Sequence, residues 1–267
     1  MDAGGYAFLD MTPAETVNPA IFLNLTHQDP AMREMFQNKD FRIGLSHAIN
    51  RQEIIDVVYI GQGEPFQAAP RRASEFFDEE FAKQYTEYNV DLANELLDKA
   101  GYSERDAEGF RLRPDGQRVS FVIEHFDFDA SWPDALELMQ GYFREVGVDM
   151  QVRGETGNAY NTRKNANEHD AILFGGGPGL GFANILFPNS MMPFDNQSAF
   201  AIPWARWRLN PEPGAAEVGG ISAQPEEPSE GAKRQIELHE QLSQTADVAE
   251  QKRLFQEILD ISKEEFY

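Results

Sequence analysis

Residues 38–60 read Asn38-Lys-Asp-Phe-Arg-Ile-Gly-Leu-Ser-His-Ala-Ile-Asn-Arg-Gln-Glu-Ile-Ile-Asp-Val-Val-Tyr-Ile60, a pattern that predicts two consecutive helices. We expect Asp40 to cap the first helix, because a short acidic side chain can accept a hydrogen bond from a free backbone N–H. Asn50 begins the second helix, with Glu53 three residues on, as in a capping box. The apolar side of the first helix carries Phe41, Leu45, Ala48 and Ile49.

A third helix is predicted by residues 85–102, Tyr85-Thr-Glu-Tyr-Asn-Val-Asp-Leu-Ala-Asn-Glu-Leu-Leu-Asp-Lys-Ala-Gly-Tyr102. Asn89 has the side chain of an N-cap, and Gly101 occupies the position where helices commonly end in a left-handed residue. One apolar stripe at helical spacing comprises Leu92, Ala93, Leu96, Leu97 and Ala100.

The sequences and the order of these segments resemble those of the extracellular solute-binding proteins of family 5, the receptors of oligopeptide, dipeptide and related ABC importers. The family pattern F-R-x-A-L-x-x-A-I-D-R-x-x-I-I-x-x-V-x-x-G-x-G-x-P is met by residues 41–65. A later pattern, Y-D-P-x-K-A-x-x-L-L-x-x-A-G-Y, is met by residues 88–102. The chain departs from both, with Asn50 in place of Asp and Asn-Val at 89–90 in place of Asp-Pro. Residues 119–174 resemble a third block of the family.

This resemblance implies a fold and an organisation. We expect residues 1–267 to form a single lobe, the second of a two-lobe protein, with the α/β fold of class II periplasmic binding proteins. Its sheet should be mixed, mostly parallel and flanked by helices. We expect the signal peptide to lie outside the chain, since its amino terminus has no charged n-region and no apolar h-region. The resemblance implies that the first lobe and a C-terminal return segment also lie outside it, because family members interleave two lobes and the matched blocks belong to the second.

The pattern along the chain agrees with an α/β lobe, because strands and helices alternate. A proline-glycine turn at 114–116 indicates a hairpin between residues 110–112 and the strand that follows it. Residues 61–84 and 175–227 show no period. Strands are predicted at 18–26, 119–125, 148–152 and 171–174, and further helices at 30–36, 132–146, 158–166, 229–243 and 247–265.

Composition excludes several classes of function. The formal charge of −22 disfavours nucleic acid and anionic membrane surfaces as partners, and its simplest interpretation is solubility. Without cysteine the chain has no disulfide, iron–sulfur cluster or catalytic thiol. No run of 18 apolar residues is present, so no membrane-spanning segment is expected.

The glycine-rich segment 174–182, Phe174-Gly-Gly-Gly-Pro-Gly-Leu-Gly-Phe182, directly follows a predicted strand and is the main candidate binding loop. Gly176, Gly177 and Gly179 would let the backbone approach a ligand closely. Their spacing fits neither nucleotide-binding glycine motif. In peptide-binding members of the family an acidic residue at this loop holds the amino terminus of the peptide, and none is present here. The resemblance therefore leaves an oligosaccharide open beside an oligopeptide, and a merely flexible loop is the alternative to a binding loop.

A second group of residues has the side chains that bind sugars. Aromatic faces stack on C–H patches while amide and guanidinium groups bond to hydroxyls. The alternative is that the tryptophans simply pack in the core. This candidate group comprises Phe182, Asn184, Trp204, Arg206 and Trp207.

No catalytic motif is present, and no pair of histidines has metal-ligand spacing. His125, Asp127 and Asp129 could bind a hard cation, although one exposed strand face explains them more simply. We therefore expect a monomeric, periplasmic, non-catalytic receptor without metal or cofactor, which binds an oligopeptide or oligosaccharide and delivers it to ABC permease subunits. The alternatives are a glycoside-active enzyme and a stand-alone interaction domain.

Overall fold

A computed structural model describes residues 14–267 and contains fifteen helices and strands. The strands are β1 (Ala20–Leu23), β2 (Ser120–Phe126), β3 (Asp149–Glu155) and β4 (Ala171–Phe174). The helices that precede β2 are α1 (Pro30–Gln37), α2 (Lys39–Ala48), α3 (Arg51–Val57), α4 (Glu79–Lys83) and α5 (Val90–Lys99). The remaining helices are α6 (Trp132–Glu145), α7 (Gly157–Asn165), α8 (Gly181–Leu186), α9 (Ile202–Leu209), α10 (Glu230–Gln244) and α11 (Val248–Glu265).

The four strands form one mixed sheet in the order β1-β4-β2-β3. The central strand β2 is parallel to both β3 and β4, and β1 is antiparallel to β4. This arrangement confirms the α/β prediction and the prediction of a mostly parallel sheet. Because parallel strands need crossover connections, α6 joins β2 to β3 and α7 joins β3 to β4.

Helices cover both faces of the sheet, as the alternation of side chains along β2 shows. Phe121 packs edge-on against Phe36 of α1 and lies 6.2 Å, centroid to centroid, from Phe143 of α6. On the opposite face Phe126 contacts Tyr160 of α7, with ring centroids 4.9 Å apart. Burial on both faces explains why the strand sequences contain few exposed positions.

The helix starts agree with the sequence at two caps and differ at one. Asn50 Oδ1 accepts from Glu53 N at 3.2 Å, and Asn89 Oδ1 accepts from a backbone N–H in the first turn of α5, as predicted. The prediction of Asp40 as a cap is wrong, because the extended backbone of Asn38 lets its side chain accept from Phe41 N. The carboxylate of Asp40 lies instead in the first turn, where the helix dipole favours it.

A second hydrophobic cluster lies away from the sheet, where α10 and α11 pack together. Phe255 of α11 meets Phe76 edge-on at 4.9 Å, and Ile185 of α8 belongs to the same cluster. The helices α8 and α9 fall in residues 175–227, for which the sequence showed no period. Their periodicity is weak because α8 is short and α9 is buried on several sides, so that neither has the polar face of an ordinary surface helix. None of the helices between residues 14 and 267 combines the length and hydrophobicity needed to cross a bilayer.

Candidate functional site

The carboxyl ends of β2 and β4 lie side by side at one end of the sheet, because the two strands are parallel neighbours. The last residues of these strands, Phe126 and Phe174, stack with ring centroids 6.3 Å apart. Loops that follow this end of the strands are the usual place for ligands in α/β sheets. We therefore take the loops 127–131 and 175–180 as the candidate site and name this region the β2/β4 end.

The glycines of the second loop lie against the chain itself. A methyl group on Gly176 would collide with the hydroxyl of Thr16 and would lie 2.7 Å from Val17 Cγ1. One on Gly177, whose φ is +70°, would lie 2.5 Å from Asn189 Oδ1. The absent side chains thus allow residues 15–17 and 189 to pack against the turn. Sequence analysis had predicted that a ligand would approach the backbone here.

Three backbone hydrogen bonds tie this turn to residues 14–17, and one of them runs from Gly179 N to Ala14 O at 2.6 Å. Thr16 N donates to Gly177 O at 2.8 Å, and Gly176 N donates to Val17 O at 2.9 Å. The Thr16 hydroxyl also donates to Gly176 O. The turn is consequently held in one conformation, which does not support a merely flexible loop.

This packing brings a carboxylate to the turn from a distant part of the sequence. The carboxylate carbon of Glu15 lies 3.3 Å from the position of a Cβ on Gly175, and Glu15 pairs with Pro178 through an isolated β-bridge. No hydrogen bond or ion pair within residues 14–267 engages this carboxylate. Sequence analysis missed Glu15, because only the tertiary fold places it beside the turn.

Arg71 is the cationic neighbour of Glu15. Its Nε donates to Glu15 O at 2.5 Å, and its backbone N–H donates to Gly179 O at 2.9 Å. Burial lowers the pKa of the Arg71 guanidinium, and the nearby charge of Glu15 acts in the opposite direction. Arg71 therefore clamps the two segments together through its backbone and its side chain.

The first loop is braced by a chain of hydrogen bonds. The Asp129 carboxylate accepts from the Ser131 hydroxyl at 2.6 Å, and this bond lowers the pKa of Asp129. Ser131 Oγ also lies 3.2 Å from the hydroxyl of Tyr59. Trp132 Nε1 donates to Asn18 Oδ1 at 3.1 Å, which ties the loop to the residues that precede β1.

The possible cation site at His125, Asp127 and Asp129 is not assembled by the fold. His125 is buried within the sheet, whereas Asp127 is exposed, and Asp129 is engaged by Ser131. Within residues 14–267 no group of three or more His, Cys, Asp or Glu side chains could hold a metal ion.

Two of the predicted sugar-binding residues lie on α8, directly after the glycine turn. Phe182 is 46% exposed and is free to contact a ligand. Asn184 is only 2% exposed, and its amide lies against Ser74 and the backbone of Pro178 and Leu180. Asn184 therefore shapes the turn from inside, and its burial does not fit the expected contact with a ligand.

The other three predicted residues lie on α9 and do not form an aromatic platform. Trp204 is 5% exposed within the main core, and Arg206 is fully buried and donates to Asn210 O at 3.0 Å. Trp207 is half-buried against the second hydrophobic cluster. An aromatic ring must be accessible to stack on a sugar, so the core-packing alternative describes Trp204, and the buried guanidinium of Arg206 does not fit the expected contact.

A separate groove of about 270 Å³ runs beside β1, between that strand and helices α2 and α3. Most of its lining is apolar. Charged side chains in the lining are Arg42, Arg51 and Glu64. Burial lowers the pKa of both arginines to about 10, and their guanidinium groups bond to backbone carbonyls and to Ser46.

Comparison with known proteins identifies the family. Residues 6–196 match the family described as bacterial extracellular solute-binding proteins, family 5 Middle, and the chain belongs to it. The chain is 24% identical over 120 residues to the oligopeptide-binding protein AppA of Bacillus subtilis, a match that covers 45% of this chain and 22% of AppA.

Solved structures agree with this assignment. The fold superimposes on an oligopeptide-binding protein OppA with a TM-score of 0.82 and 29% identity, over 98% of this chain and 41% of that chain. It also resembles a mannohexaose-bound oligopeptide ABC transporter binding protein of Thermotoga maritima, with a TM-score of 0.64 and 18% identity, over 95% of this chain and 42% of that chain. The sheet and its flanking helices thus have the periplasmic binding protein-like fold, as the sequence predicted. The matches cover 22% of AppA and 41–42% of the two solved chains, so the chain spans less than half the length of these relatives.

Proposed function

We propose that the chain is one lobe of the substrate-binding component of an ABC-type importer. In the full-length protein the solute would bind in a cleft between two lobes, which close over it by a hinge. The closed, monomeric receptor would then deliver the solute to permease subunits in the membrane, and it would act in the periplasm without catalysis. Membership of a family of extracellular solute-binding proteins supports this role.

We infer that the solute binds at the β2/β4 end of the lobe. Its glycine turn is fixed by hydrogen bonds to residues 14–17, so it offers a preformed surface with little ordering cost. Phe182 adds an exposed aromatic ring directly after the turn. We retain Gly177 and Phe182 as ligand-contacting candidates and add Glu15. Gly176 and Gly179 are buried against residues 15–17 and shape the turn instead.

The choice between the two classes of solute depends on the carboxylate of Glu15. A carboxylate without a partner in the described structure, at the end of β4, suits the ammonium group of a peptide. We therefore favour an oligopeptide. An oligosaccharide remains the second candidate, because the glycine turn itself contributes no acidic side chain.

The glycoside-active alternative has less support. Such enzymes need two carboxyl groups roughly 5–10 Å apart across the scissile bond. The groove beside β1 is lined by one carboxylate, that of Glu64, which is paired with Arg72 and Lys83. These cations hold the pKa of Glu64 at about 2, so this group is a poor proton donor near neutral pH.

The proposal is tested by calorimetric titration of the full-length protein with oligopeptides and, separately, with oligosaccharides. We expect binding of oligopeptides, and we expect Glu15→Gln to weaken it by on the order of 10-fold or more, since a charge-assisted hydrogen bond contributes roughly 1.5–3 kcal/mol. Glu95→Gln, at an exposed position on α5, is the matched control and should bind like the wild type. Absence of binding to every compound of both classes would refute the receptor role, whereas an unchanged affinity in Glu15→Gln would refute only the assignment of Glu15.

A further inference from the structure

A polar cup lies between helix α7 and a hairpin formed by residues 217–222. Its volume is about 270 Å³, and among the described residues those that line it include neither a hydrophobic nor a basic side chain. Such a lining does not suit the apolar body of an ordinary organic ligand. The helix contributes Asn158, Asn161, Thr162 and Asn165 to the cup, and the hairpin contributes Glu217, Gly220 and Ser222.

The cup lies on the outer face of α7, away from the candidate solute site. Its four helical residues follow one another at spacings that place them on one side of a helix, whereas Tyr160 is buried on the other side against Phe126. Because α7 is the crossover between parallel strands, it runs back from the β2/β4 end, and Asn165 lies toward the opposite end of the sheet. The cup is therefore separate from the glycine turn.

Backbone hydrogen bonds hold the two walls of the cup together. In the hairpin, Val218 N and Ile221 N each donate to the carbonyl of the other at 3.0 Å, and the two glycines between them have positive φ. Ser222 N and Ala223 N both donate to Asn165 O, at 3.1 and 2.9 Å. The cup is consequently formed before any ligand enters it, so a ligand has little backbone to order.

The side chains of the helix present acceptor oxygens to the cup. Asn161 Nδ2 donates to Gly157 O at 2.8 Å, and the Thr162 hydroxyl donates to Asn158 O at 2.9 Å. These bonds use the donors of two side chains and leave their oxygens available. Asn165 Oδ1 is buried and has no hydrogen-bond partner among the described residues, and a buried acceptor without a partner is costly.

The electrostatics of the cup favour a cation. The carboxylate of Glu217 forms no ion pair or hydrogen bond within residues 14–267. Helix α7 ends at Asn165, so the negative end of the helix dipole borders the cup. The formal charge of −22 adds a negative field around it. Carboxylate and amide oxygens, completed by water, are the ligands that Ca²⁺ prefers.

We propose that the polar cup is a calcium site in which Glu217 and the amide oxygens of Asn161 and Asn165 bind the ion. The site goes beyond the proposed function, because it pins the hairpin to α7 whether or not a solute is bound. It contains one carboxylate and neutral oxygens, and so differs from the sites of three or more His, Cys, Asp or Glu side chains that the described residues lack. A neutral sugar is the weaker candidate, because it would leave the charge of Glu217 without a counter-ion and would find no aromatic face in the cup.

Amide-resolved hydrogen exchange of the full-length protein, measured over a series of Ca²⁺ concentrations, tests this proposal. With a single carboxylate we expect a Kd of roughly 0.1–1 mM, as in extracellular calcium modules. At a Ca²⁺ concentration ten times the Kd, the amides of Ser222 and Ala223 should exchange about 10-fold more slowly than without Ca²⁺, because opening of the hairpin requires release of the ion. No effect of Ca²⁺ on these two amides would overturn the proposal, as would protection by glucose in place of Ca²⁺.

Two variants change the charge of the cup in opposite directions. Glu217→Gln should weaken Ca²⁺ binding by at least about 10-fold, whereas Asn165→Asp adds a second carboxylate of similar size and should tighten it by about the same factor, since the charge of the ligands sets calcium affinity. Glu212→Gln, at an exposed position in the same segment but outside the cup, is the matched control and should bind like the wild type. An affinity that is unchanged in both Glu217→Gln and Asn165→Asp would refute the assignment of the ion to this cup.

Discussion

The substitution Gly176→Ala tests whether the glycine turn is fixed by residues 14–17. The added methyl would collide with the Thr16 hydroxyl and would lie 2.7 Å from Val17 Cγ1, so one of these segments must move. Forcing a methyl into a packed site costs about 1–3 kcal/mol. Loss of the hydrogen bond from Thr16 to Gly176 O adds about 1 kcal/mol. We therefore expect the lobe to lose about 2–4 kcal/mol of unfolding free energy.

Calorimetric unfolding of the full-length protein measures this loss, and Gly141→Ala is the matched control. Gly141 lies on the exposed side of α6 with nothing within 4 Å of an added Cβ. Because alanine is the better helix former, this second variant should gain about 0.5–1 kcal/mol. The reasoning is refuted if Gly176→Ala unfolds like the wild type, since the turn would then tolerate a side chain and its contact with Thr16 would not be tight.

Three further predictions concern the buried interior. Burial lowers the pKa of His169 from 6.5 to about 4, so as the pH drops the imidazole is protonated in the unfolded chain before it is protonated in the folded one. The free energy of unfolding should therefore fall by about 3 kcal/mol between pH 6.5 and pH 4. In His169→Gln this part of the pH dependence of unfolding should disappear. Arg111→Lys cannot reproduce the bonds of the buried guanidinium to Val146 O and Tyr102 O and should cost roughly 2–4 kcal/mol in a denaturation assay, whereas Arg253→Lys at an exposed pair should leave stability unchanged. Trp204→Ala should lower stability by about 3–5 kcal/mol and leave solute affinity in calorimetric titration unaltered, which separates core packing from ligand stacking.

Local signals in the sequence predicted most of the secondary structure. The caps at Asn50 and Asn89 act through side chains that lie within three residues of the N–H groups they satisfy, so a short stretch contains the whole interaction. The closing helices α10 and α11 were found within about one residue at each end, because each buries one regular apolar face. The cap at Asp40 was assigned wrongly because two suitable side chains, Asn38 and Asp40, lie close together and only the backbone angles distinguish them.

The candidate site was predicted less well. Residues 175–179 were correctly located at the end of a strand, since a strand followed by glycines is a local pattern. The side chains around them were not predicted, because Glu15 and Arg71 are separated from the turn by more than a hundred residues. Trp204 and Trp207 lie three residues apart, yet one is in the main core and the other lies against the second cluster. The spacing of the two tryptophans in the sequence predicts neither of these locations.

The sequence by itself determined the family, the α/β alternation and the position of the glycine turn, because each depends on residues close together in the chain. Only the tertiary structure decided what the glycines accommodate and which carboxylate reaches the turn. These properties depend on contacts between segments far apart in the sequence, and such contacts form only when the sheet and the layers of helices pack together.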